Sequence, residues 1–132
     1  MAKNRRYLLD TSTFLWASTE PGKLTSVVRS ALLDESAKRY VSLASVWEMQ
    51  IKHAVGKLLL PRQADQTARS YASALQVDFL HIGLDHISAL YTLPSIHRDP
   101  FDRMLSAQAR IEGLTIISPD PVFKVYGVSV LW

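Results

Sequence analysis

The chain has 132 residues, 48% of them hydrophobic and 20% charged, which fits one domain spanning 1–132 and excludes a wholly disordered chain. It has no cysteine, so disulfides, thiolate metal sites and cysteine nucleophiles are excluded. No apolar run approaches the roughly 18 residues of a membrane span. Fifteen Lys and Arg against twelve Asp and Glu leave +3, with a pI near 9.3: a mild bias toward anionic partners.

The basic start through Arg6 leads into no apolar run of signal-peptide length, because Asp10 interrupts it, so the cytoplasm is the expected compartment. Residues 6–10 read as a short buried strand ending in a carboxylate. A short helix over 12–17 follows, broken by Glu20-Pro21-Gly22. Apolar spacing at Val27, Val28, Ala31 and Leu32 predicts a helix over 26–37. Residues 39–43 form a second strand. A helix over 45–55 comes next, with Gly56 where a C-cap belongs. A helix over 64–75, a strand over 77–82 and a helix over 84–93 follow, the last stopped by Pro94. A helix over 100–112 is capped by Gly113, and strands over 115–118 and 128–131 complete the chain. Alternating helices and short apolar strands predict an α/β fold with a mainly parallel sheet covered on both faces. Ligands of such sheets gather beyond the carboxyl ends of the strands.

Acids stand at those places. Asp10 closes strand one, and Glu48 lies in the first turn of the helix after strand two. Asp99 and Asp102 open the helix before strand four, and Asp120 lies just past it. Each has a capping alternative. Ser45 to Glu48 matches a capping box, Asp99-Pro100 a helix start, Asp120-Pro121 a turn, and Asp10 a cap of the first helix. Five acids gathered together would repel unless a cation offset them. Mg²⁺ or Mn²⁺ suits oxygen ligands, and phosphoryl transfer is the chemistry such a site does best.

Leu8-Leu9-Asp10-Thr11-Ser12, Ser45-Val46-Trp47-Glu48-Met49-Gln50-Ile51-Lys52, His97-Arg98-Asp99-Pro100-Phe101-Asp102-Arg103-Met104-Leu105 and Ile117-Ser118-Pro119-Asp120 resemble the PIN domain. The resemblance is closest to VapC-type ribonuclease toxins with the Asp-Pro-Phe-Asp-Arg motif, and it runs from Tyr7 to Trp132. It implies a three-layer α/β/α fold with a five-stranded sheet and a Mg²⁺-dependent endoribonuclease, with Mn²⁺ as a substitute. The family's acids fall on Asp10, Glu48, Asp102 and Asp120, with Asp99 as an extra acid and Ser118 as a hydroxyl within the site. Asp10 and Asp102 would hold metal, joined by Asp99 or Asp120, while Glu48 would ligate metal or orient water. The resemblance also implies a VapB-type antitoxin, docked near Leu15, Trp16, Val28 and Leu32, and a homodimer or larger toxin–antitoxin assembly.

With five acids in the site, seven remain against fifteen bases, and the rest of the surface carries +8, suited to RNA. Arg98, Arg103, Lys52 and Lys57 are candidate phosphate contacts, with His97 beside them. A Glu48–Lys52 helix pair is the alternative for Lys52. Trp16, Trp47 and Phe101 read as core, and Trp132 as a residue that could serve an interface. The histidines lack zinc spacing. Two other readings stay open. A receiver-type Mg²⁺ domain would need a Lys after the last strand, which is missing. A non-catalytic PIN-like scaffold that binds RNA or protein is the other.

Overall fold

The computed structural model describes residues 5–96 and 99–132. Among them, β1 (Arg6–Leu9), β2 (Lys38–Ser42), β3 (Asp78–Leu80), β4 (Thr115–Ile117) and β5 (Val130–Leu131) form one sheet in the order β3-β2-β1-β4-β5. Every pairing is parallel. Parallel neighbours need crossovers. Here α1 (Thr11–Thr19) and α2 (Ser26–Leu33) link β1 to β2, and α3 (Leu43–Ala54) and α4 (Ala64–Leu75) link β2 to β3. Helices α5 (Leu84–Ala89) and α6 (Pro100–Glu112) link β3 to β4, and α7 (Val122–Val125) links β4 to β5.

Strand pleating sends neighbouring side chains to opposite faces. Leu9, Val41 and Ile117 enter a core with Phe14, Val28, Met49 and Ala68 from α1 to α4. Leu8 and Ile116 face the other way, into Leu105 and Ala109 of α6 and Phe123 of α7. The result is the expected three-layer arrangement. Burying each of the larger apolar side chains among these stabilises the fold by about 1.5–3 kcal/mol.

Several boundaries differ from the sequence reading. Helix α2 stops at Leu33, because the Asp34 carboxylate accepts from the Ser36 amide and hydroxyl and turns the chain. Helix α3 begins at Leu43, capped by Ser42, whose hydroxyl accepts from the Ala44 amide at 3.0 Å. The expected capping box at Ser45 is therefore absent, and Glu48 lies in the second turn. Beyond Ala89, α5 tightens into a 3₁₀ turn over Leu90–Thr92. Strand β5 is shorter than expected, since Gly127 turns at φ +76° and Val128 packs with Phe123.

From β1 the chain winds outward to β2 and β3, then returns to the far side of β1 as β4. That reversal creates a crevice beyond the carboxyl ends of β1 and β4. A receiver-type domain has the order 2-1-3-4-5 instead.

Candidate active site

Asp10 follows β1 at this crevice. It caps α1, its Oδ1 accepting from the Thr13 amide at 2.8 Å. It is only 8% exposed. The Ser118 hydroxyl, just past β4, also hydrogen-bonds its carboxylate. Ser118 accepts in turn from the Asp120 amide at 3.0 Å, and Asp120 Oδ1 accepts from the Val122 amide at 3.0 Å. Burial pushes the Asp10 carboxyl above its ordinary range. The bonds from Ser118 and Thr13 oppose the rise, and the Asp120 charge adds to it. None of these influences is a cation.

The second half of the site lies on α3 and α6. Thr11 Oγ1 donates to Glu48 Oε1 at 2.6 Å. Lys52 Nζ donates to Glu48 Oε2 at 2.7 Å, which is the expected helix pair. Asp99 caps α6, its Oδ1 accepting from the amides of Phe101 at 2.8 Å and Asp102 at 3.3 Å. The Lys52 ammonium is held above its usual range by the bond to Glu48, the largest influence; burial opposes it next, and the charges of Glu48, Asp99 and Asp102 add to the rise. The five acids thus share one sheet edge in two linked groups. Asp10, Ser118 and Asp120 form one, and Glu48, Lys52, Asp99 and Asp102 the other. Thr11, next to Asp10 in the chain, joins them. The sequence pattern reads Asp10-Thr11-Ser12 as a cap, and nothing in it gives Thr11 a role of its own.

No three of these acids bring carboxylate oxygens within 4.8 Å of one another; among the described residues the group that does is Asp85, His86 and Glu112. Glu112 ends α6, about 15 Å along that helix from Asp102. His86 is buried there with both ring nitrogens engaged. Nδ1 accepts from the Gly83 amide at 2.9 Å, and Nε2 meets Glu112 at 2.9 Å. A metal would break that arrangement, so it reads as a staple between α5 and α6. The strand-edge acids fit a metal better. They offer oxygen donors only, and Mg²⁺ keeps several waters and needs only one or two direct carboxylates.

Other expectations are redistributed. Arg103 is engaged with the fold. Its Nη1 donates to the Pro94 carbonyl at 2.8 Å and its Nη2 to the Leu90 carbonyl at 3.1 Å, and the guanidinium lies 5.8 Å from the Tyr126 ring centre. Arg98 and His97 lie outside the described residues. Lys57 is exposed. Trp47 is not core: it is 60% exposed and meets Phe101 edge-on at 5.5 Å. Trp132 packs on Trp16 at 6.0 Å. No described helix is long and apolar enough to cross a membrane.

No curated protein matches the chain by sequence. Solved structures do match in fold. One is VapBC2 from Rickettsia felis bound to a DNA fragment from its promoter (TM-score 0.74, 15% identity, 96% of this chain and 98% of that one). Another is DNA-bound VapBC from Salmonella typhimurium (TM-score 0.72, 15% identity, 96% and 97%). A third is FitAcB from Neisseria gonorrhoeae (TM-score 0.60, 21% identity, 96% of each). The PIN domain family matches residues 7–128, nearly the whole chain, and this chain belongs to the PIN domain family.

Proposed function

We propose that the chain is a metal-dependent endoribonuclease, the toxin of a VapBC-type toxin–antitoxin pair. PIN domains are generally nucleases, and the observation that carries the reading is the acids gathered at one sheet edge, among them a buried Asp10 held by neutral donors alone. Asp10 and Asp102, with Asp99 or Asp120, are the residues to hold Mg²⁺ or Mn²⁺. A bound divalent ion supplies charge neutralisation at the phosphate and a water that ionises near neutral pH.

The chain's own groups do the positioning. Ser118 and the Thr13 amide fix the Asp10 carboxylate. Thr11 and Lys52 each take one lone pair from a Glu48 oxygen, leaving one on each oxygen to orient an attacking water. In-line attack on phosphorus then expels the 3′ oxygen of the upstream nucleotide. The basic remainder of the surface draws the RNA backbone.

The neighbours are toxin–antitoxin complexes, which supports an antitoxin partner here. A groove of about 390 Å³ near α1, α2 and α4 offers Leu32 and Leu33 to an apolar segment, with Arg29 and Arg39 at its walls. Val28 is fully buried and is not among its anchors.

The test is cleavage of single-stranded RNA by wild type and Asp10→Asn, with Mg²⁺ or with excess chelator. Cleavage by wild type with Mg²⁺ alone is expected. Full activity in chelator, or in the variant, refutes the reading.

A further inference from the structure

We propose that the Lys52 ammonium takes the place of a second divalent cation, so that each chain binds one metal ion, on the Asp10 side of the site. The inference rests on the nuclease reading and decides how many ions that site holds. A two-metal site sets its ions about 3.5–4 Å apart and needs free carboxylate oxygens on both sides. Here each Glu48 oxygen already accepts from the protein, and one of the two donors is a cation, which leaves a place for a neutral water but opposes a divalent ion. Oε1 receives the Thr11 hydroxyl at 2.6 Å and Oε2 the Lys52 ammonium at 2.7 Å.

The ammonium is not a passing contact. Lys52 lies one helical turn after Glu48, so α3 itself delivers it to the carboxylate. The Glu48 side chain is 12% exposed and that of Lys52 50%, so the acid is largely covered and the base stands on its solvent side. The same positive charge acts on Asp99 and Asp102. A second divalent ion beside Glu48 would have to displace Lys52 or endure its repulsion. Asp10 presents the opposite case. It is bound by neutral donors alone and flanked by a second acid, Asp120. Positive charge is already supplied on one side and lacking on the other.

The experiment is a Mn²⁺ titration of the full chain. Free Mn²⁺ is followed by electron paramagnetic resonance and heat by calorimetry, and neither readout depends on cleavage. Wild type should bind one ion. Lys52→Arg keeps the charge and should also bind one. Lys52→Gln should bind a second ion, or bind Mn²⁺ at least tenfold more tightly. Asp10→Asn should lose the wild-type ion. Circular dichroism and melting confirm that each variant is folded. Two ions in wild type, or unchanged number and affinity in folded Lys52→Gln, overturn the proposal while leaving the nuclease reading in place. No binding by any of the proteins overturns both.

Discussion

The hydroxyl of Thr11 reaches across the site to the carboxylate of Glu48, 2.6 Å away, and ties the first turn of α1 to the second turn of α3. The residue next to one acid in the sequence thus orients another acid 37 positions later.

Thr11→Val keeps the shape of the side chain and removes the donor. Glu48 then keeps Lys52 as its one remaining partner in this pairing. We expect cleavage to fall about tenfold or more, with a stability loss of about 1 kcal/mol. RNase assays and chemical denaturation on the same preparation check both. Unchanged cleavage would show that Glu48 needs no such tether.

Asp10→Asn should alter how stability depends on pH. Burial raises the folded-state pKa of Asp10 above its ordinary value of 3.8. Below 3.8 the group is protonated in both states. As pH rises toward the folded pKa the unfolded chain ionises first, so wild type loses stability and levels off above that pKa. Asn removes this loss while still capping α1. Melting temperatures from about pH 3 to about pH 8 should therefore diverge in favour of the variant as pH increases. Mg²⁺ at neutral pH should raise the melting temperature of wild type alone. Parallel curves would contradict the burial argument.

Ser45→Ala separates the capping box expected from sequence from the helix that forms. Ser45 is fully buried inside α3, and its hydroxyl has no hydrogen-bond partner among the described residues. Removing an unsatisfied hydroxyl should leave stability unchanged or raise it by up to about 1 kcal/mol. A cap at this position would instead lose about 1 kcal/mol. A urea titration distinguishes the two.

Arg103→Met tests whether that guanidinium serves the fold or the substrate. Its bonds to the Pro94 and Leu90 carbonyls hold the turn after α5 against α6. We expect about 1–3 kcal/mol of destabilisation, as for hydrogen bonds to a charged group, with RNA affinity unchanged while the protein stays folded. Weaker RNA binding at unchanged stability would return Arg103 to the phosphate contacts.

The layers and the acids are legible in the sequence because both follow from local pattern. Short apolar strands alternate with helices, and Asp10, Asp99 and Asp120 each sit where a cap or turn also wants a carboxylate. A residue that caps a helix at the carboxyl edge of a strand is already aimed at the crevice. The start of α3 is less legible. Ser42 and Ser45 both precede plausible helical stretches, and only the pairing of Ser42 with Leu80 on β3 sets where the strand stops. Trp47 misleads in the same way. Its large ring reads as core, but it stands 60% exposed against Phe101. Arg103 reads as a surface base because its partners are backbone carbonyls, which no side-chain pattern reveals.

The strand order has a consequence for synthesis. Among the described strands β1 comes earliest and is central, and one of its two neighbours is β4, where Tyr7 meets Thr115. A nascent chain that has emerged only as far as α6 possesses Asp10, Glu48, Asp99 and Asp102 but neither Ser118 nor Asp120, and the first strand lacks its partner on that side. The acidic edge is therefore completed only once β4 and the residues just past it have been made, and a chain cut short before them is a blade without its second cheek.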